Sequence, residues 1–156
     1  LGIYPVRINS KLVTAQLRDR YYWSNIRTTQ DGMFGDIVTD IPDPKDRKIM
    51  FKDIVVGGVV KSDKAGTLIE GCYKMFIKDR DRQDKYLRKR IINNFQTPPL
   101  IYVDSKVRTV NKVEMCRLQG FPDDWCDILT KSQTGSLLGD GWTLPIIEHI
   151  FSFIER

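Results

Sequence analysis

The residues predict a globular chain that mixes short strands with helices, and three observations carry that reading. The chain has 156 residues, 41% of them hydrophobic and 29% charged, with a mean hydropathy of -0.34. That is enough for one core of ordinary size and too little for two generous domains. Two segments near the N-terminus and one near position 100 are rich in β-branched and aromatic residues, as strands are. Three other segments place apolar residues at helical spacing or beside capping residues.

Taken in order, Val6 to Ile8 and Arg20 to Ile26 read as strands, joined by the more polar Asn9 to Asp19 as a loop or short helix. Thr28 to Asp46 carries Gly32, Gly35, Pro42 and Pro44 among Asp and Thr, and reads as a connecting segment with a first boundary in it. Ile49 to Phe51 and Ile54 to Val60 are candidate strands, the second broken by Gly57 and Gly58. Leu87, Ile91 and Phe95 recur at every fourth position, which predicts an amphipathic helix from Asp84 to Phe95, ended by Pro98 and Pro99. Leu100 to Val103 reads as a buried strand. Asn111 and Glu114 form a capping-box pattern for a helix from Lys112 to Gln119, closed by Gly120 and Pro122. Thr143 is placed to cap a last helix with Pro145 in its first turn. Ile146, Ile147, Ile150, Phe151, Phe153 and Ile154 give that helix a wide apolar stripe that must pack against something substantial.

Composition also excludes. No apolar stretch approaches the roughly 18 residues that cross a bilayer. The first residue is Leu1 rather than Met, which reads as a start inside a longer protein, and nothing near it resembles a signal peptide. Cys72, Cys116 and Cys126 lie 44 and 10 residues apart, with no C-x-x-C pair and His149 as the one histidine. That pattern speaks against zinc and against a disulfide framework, and fits a reducing compartment. The net charge is +5, and Lys74 to Arg90 alone carries as much: Lys74, Lys78, Arg80, Arg82, Lys85, Arg88, Lys89 and Arg90 against Asp79, Asp81 and Asp84. By itself such a run is a solvated helix face or the footprint of a polyanion contact.

Three segments narrow the choice. AQLRDRYYWSNI (15–26), VRTVNKVEMCRLQGFPDDW (107–125) and LLGDGWTLPIIEHIFSFI (137–154) resemble the eighth, ninth and tenth common motifs of the cytosine-5 DNA methyltransferases. They come in family order, and the last is nearest to the form in animal de novo enzymes and their phage relatives. The matching residues of the eighth motif are Gln16, Arg18 and Arg20. The resemblance covers nearly the whole chain but only the second half of the family pattern. Cys72, Cys116 and Cys126 follow Gly71, Met115 and Trp125, so the family's nucleophilic proline-cysteine pair is not among them.

The resemblance implies an α/β fold: edge strands and a terminal helix of the Rossmann-like, S-adenosylmethionine-dependent methyltransferase sheet, plus a small mixed α+β target-recognition domain. It divides the chain into a catalytic segment (1–30), a linker and recognition region (31–106), the ninth-motif segment (107–136) and the returning tenth motif (137–156). It implies the C-terminal portion of a DNA cytosine-5 methyltransferase, inactive without an N-terminal half. Such a portion recognises duplex DNA and completes the pockets for cytosine and S-adenosylmethionine. Arg18 and Arg20, with Gln16, would hold the flipped cytosine and the charge that builds on it. Asp140, Gly141 and Trp142 would border the cofactor, although most relatives carry Asn where this chain has Asp140. Arg108, Glu114 and Gln119 would be structural, and Phe121-Pro122 would fix the turn toward the variable region. Lying between the eighth and ninth motifs, Lys74, Lys78, Arg80, Arg82, Arg88, Lys89 and Arg90 become expected DNA contacts, mostly to phosphates, with room for one or two arginines at guanine edges. Tyr21, Tyr22 and Trp23 are expected to pack in the sheet, and His149 to be a packed histidine. No metal and no membrane contact is expected, and the setting would be the cytoplasm of a bacterial or phage-infected cell, or the nucleoid. The alternative is a non-catalytic DNA-binding or regulatory relative, with a tRNA-methylating branch as a further reading.

Overall fold

A computed structural model describes residues 2–68, 99–103 and 106–154. The predicted helix from Asp84 to Phe95 and the basic run from Lys74 to Arg90 lie outside the described residues. The described strands form three two-stranded antiparallel ladders. β1 (Val6–Asn9) pairs with β2 (Asp19–Tyr22), Ile8 opposite Arg20. β3 (Thr28–Asp31) pairs with β4 (Asp36–Thr39), and β5 (Leu100–Val103) with β6 (Lys106–Thr109). Single bridges tie Tyr4 to Val38, Gln16 to Ala65 and Val59 to Tyr102. Four helices complete the described fold: α1 (Phe51–Ile54), α2 (Lys112–Gln119), α3 (Lys131–Asp140) and α4 (Leu144–Phe151). None is long and apolar enough to cross a membrane.

Two buried clusters organise these elements. One joins Phe51, Ile54 and Leu68 to Ile101 of β5, Met115, Cys116 and Leu118 of α2, and Leu138 of α3. The other packs Ile146 and Ile150 of α4 against Ile8, Val13, Tyr22 and Ile41. The apolar stripe of the last helix thus finds its partner in the chain's own first hairpin, while Phe151 and Ile154 at its end stay exposed.

Helix α2 follows its sequence signals closely. The Asn111 side chain accepts from the Glu114 N–H at 2.9 Å and Glu114 accepts from the Asn111 N–H at 2.7 Å. Gly120 then turns left-handed at φ 79°, where a Cβ would run into the ring of Pro145. Only glycine meets both demands.

Several expectations are corrected. Thr28 to Asp46 is not merely a connection: Gly32 and Gly35, at φ 76° and 70°, close a hairpin of β3 and β4 with Met33 and Phe34 exposed at its tip. Ile49 to Phe51 is not a strand, because Asp53 accepts from the Met50 N–H at 2.7 Å and starts α1 instead. Of Ile54 to Val60, Ile54 closes α1, and among the described residues the one strand-like pairing is the Val59 bridge to Tyr102. There Gly58, at φ 106°, lies so close to β5 that a Cβ would fall 2.7 Å from Ile101. The second strand ends at Tyr22 rather than Ile26. Of the aromatic trio only Tyr22 is buried, while Tyr21 and Trp23 are exposed on the other face with ring centroids 6.4 Å apart. Thr143 makes no side-chain cap, because its hydroxyl is used elsewhere.

Cys116 and Cys126 are free, buried thiols. Burial, together with neighbouring Cys126, pushes the Cys116 thiol up to about 12. Since only the thiolate reacts, we expect iodoacetamide at pH 8 to modify Cys116 at least about a hundredfold more slowly in the native chain than in denaturant. Peptide mass mapping of the two samples checks this, and equal rates would contradict the burial.

Candidate functional site

Where the three motif segments meet, buried polar side chains hold the backbone. Glu114, fully buried, takes both amino groups of Arg108 at 2.7 and 2.8 Å and the Val56 N–H at 2.8 Å. Arg108 donates onward to the carbonyls of Val56 and Gly57. Burial raises the Glu114 carboxyl, but the Arg108 hydrogen bonds and the N–H groups of Asn111 and Val56 outweigh it and leave the group below its ordinary value.

A second chain of hydrogen bonds crosses the molecule. Ser10, in a 3-10 turn after β1, donates to the Thr143 hydroxyl at 2.8 Å, and Thr143 donates to the Gln119 side-chain oxygen at 2.9 Å. The Gln119 amide nitrogen donates to the carbonyl of Leu138. All three side chains are buried. The sequence named Gln119 as structural but gave no sign of its partners.

Beside this chain lies Arg18, 3% exposed. Its guanidinium donates to the carbonyls of Leu68 at 3.2 Å and of Gly139 and Gly141, both at 2.8 Å. Helix α3 ends here and leaves its last carbonyls without helical partners. The Gly141 N–H covers Leu137, Gln119 covers Leu138, and Arg18 covers Gly139. A cation at this end also meets the negative pole of the helix. Burial lowers the Arg18 pKa, Arg20 adds to the effect, and Asp140 opposes it. Arg20 and Asp140 therefore both lie within electrostatic reach of Arg18.

The other expected site residues fall around this point. Arg20 is exposed and its guanidinium bonds only the Asp19 carbonyl, at 3.2 Å, among the described residues. Asp140 closes α3 with its side chain exposed, Gly141 is half-buried, and Trp142 is 68% exposed. Gln16 is fully buried, and among the described residues neither polar atom of its amide has a hydrogen-bond partner. The structure thus brings Arg18, Arg20, Asp140 and Gly141 together, from positions more than a hundred residues apart. His149 lies on α4, its ring nitrogen 2.8 Å from the Pro42 carbonyl and its ring edge-on to Phe153. The expected phosphate contacts from Lys74 to Arg90 lie outside the described residues. Among the described residues no cluster of three metal-ligating side chains occurs.

The model of the C-5 cytosine-specific DNA methylase family matches residues 9–156, nearly the whole chain. The chain belongs to that family. Members of the C-5 cytosine DNA methylases transfer a methyl group to C5 of cytosine in DNA and generally take it from S-adenosylmethionine, so this chain is an enzyme by family. The junction sets an exposed guanidinium, that of Arg20, and an exposed carboxylate, that of Asp140, within electrostatic reach of one buried arginine, with the exposed Trp142 two residues after Asp140.

Proposed function

We propose that the chain forms the C-terminal portion of a DNA cytosine-5 methyltransferase, in which it recognises duplex DNA and completes the cytosine and cofactor pockets. The observation that supports this reading best is the Arg18 junction, which joins the strand bearing Arg20 to the turn bearing Asp140 and Trp142. Arg20, exposed and without an ion-pair partner among the described residues, is free to donate to the O2 of a flipped cytosine and to an adjacent phosphate.

The donor set around residues 140–142 fits one wall of an S-adenosylmethionine site. The Asp140 carboxylate can accept from hydroxyl or ammonium groups, and the exposed face of Trp142 can stack on a purine. When bound there, the cofactor supplies a methyl group on a sulfonium. The chain's own part is to hold it and to balance charge beside the cytosine. The lysines and arginines between Lys74 and Arg90 would track phosphates.

The nucleophilic proline-cysteine pair is absent from this sequence, so an N-terminal half is proposed to provide it. The exposed face of Tyr21 on β2 and of Trp23 just beyond it is where that half would pack. The test is transfer of a labelled methyl group from S-adenosylmethionine to duplex DNA, by this chain alone and mixed with a family polypeptide carrying the missing motifs. Activity in the mixture alone is the expected result. DNA binding without transfer in either sample would favour a non-catalytic relative.

A further inference from the structure

Among the described residues, the guanidinium of buried Arg18 bonds only to backbone carbonyls, as a group that holds the chain in place does. Two of the three carbonyls on Arg18 flank Asp140, and they belong to the last turn of α3 and the residue after it. The third, Leu68, follows the segment where the Leu17 N–H donates to the Ala65 carbonyl and the Ala65 N–H to the Ala15 carbonyl. The planar fork of guanidinium donors can span carbonyls that diverge in this way, whereas a lysine ammonium acts as a single point. From its own backbone Arg18 is also tied to the first hairpin, since its carbonyl accepts from the Ser10 N–H at 2.9 Å.

We infer that Arg18 is a positioning residue. It clamps the carbonyls on both sides of Asp140, fixes the turn that presents Asp140 and Trp142, and holds that turn in register with Arg20 two residues along the chain. The inference rests on the reading of residues 140–142 as a cofactor wall. A clamp of this kind links the two pockets: displacement of the turn by even an ångström misplaces the group being transferred relative to the base. The chemistry also sets a direction. With the amino groups at the tip of Arg18 engaged on carbonyls, the charge offered to the cytosine is that of Arg20.

The test uses Arg18→Lys, which keeps the charge and loses the fork, with Trp142→Ala as a control on the cofactor wall. Hydrogen exchange of the chain is read at Gly141 and Trp142 and, as reference, at Met115 to Leu118 of α2. Affinity for S-adenosylhomocysteine is read by calorimetry in the mixture with the N-terminal polypeptide. For Arg18→Lys we expect exchange at the turn to quicken about tenfold with α2 unchanged. S-adenosylhomocysteine should bind about tenfold more weakly, with KM for the methyl donor rising more than kcat falls. A mere loss of global stability would instead quicken α2 equally, and that result overturns the inference. So does weaker binding in Trp142→Ala with unchanged binding in Arg18→Lys. If neither variant alters binding, or the unsubstituted mixture does not bind the probe, the cofactor reading of residues 140–142 falls and takes the inference with it.

Discussion

Replacing Glu114 by alanine is expected to destabilise the fold by about 3–5 kcal/mol, the usual cost of removing one member of a buried, hydrogen-bonded ion pair. Glu114 is fully buried and accepts from Arg108, Asn111 and Val56, so its loss leaves two backbone N–H groups and a guanidinium without their acceptor. It also removes half of the capping box that starts α2 and the anchor of the 55–58 loop beside β5. Chemical denaturation monitored by circular dichroism measures the effect. A loss under about 1 kcal/mol would mean the network is solvated rather than buried.

The same carboxylate gives a pH signature whose sign is fixed. Its folded value lies below the ordinary 4.5, because Arg108 and two backbone donors outweigh burial. A depressed acid stabilises the fold above the unfolded value, and the contribution fades as pH falls through the folded value. The difference between the parent chain and Glu114→Gln should therefore be full at pH 7 and shrink below about 4.5.

What was legible in the sequence was what is local. Helix α2 spans the residues its capping box and Gly120 predict, because those signals act within one turn of the chain. Helix α3 also carries a local signal, Thr130 and Gln133 capping each other, but Gly135 and Gly139 inside it hide the helical pattern. The β3–β4 hairpin had its cue in Asp31-Gly32, obscured by strands too polar to alternate. Gln16, Arg18 and Arg20 could be named from the motif. That Arg18 turns inward could not be read, since its partners lie 50, 121 and 123 residues away. Likewise Thr143 looked like a cap because a cap is a local bond, whereas its hydroxyl serves Gln119, 24 residues distant.

Arg20→Ala is expected to lower kcat of the reconstituted enzyme by about 10²–10³-fold, the range found when one preorganised donor is taken from a developing anion. Negative charge grows on the cytosine ring only as the thiolate attacks, so a donor at O2 contributes more in the transition state than in the bound complex. The loss should therefore appear in kcat with DNA affinity changed less than about tenfold. Arg20 is suited to this comparison because it is exposed and bonds only the carbonyl of Asp19 among the described residues, so its removal leaves the fold intact. Lys89→Ala supplies the contrast: if it neutralises one phosphate, affinity should fall, the salt dependence of binding should lose about one unit of slope, and kcat should hold. The salt series separates the two roles where single affinities do not, because counterion release scales with phosphate contacts and not with contacts to the base. Equal losses of affinity for both variants, with kcat unmoved, would make Arg20 another phosphate contact and leave the cytosine without its guanidinium in this chain.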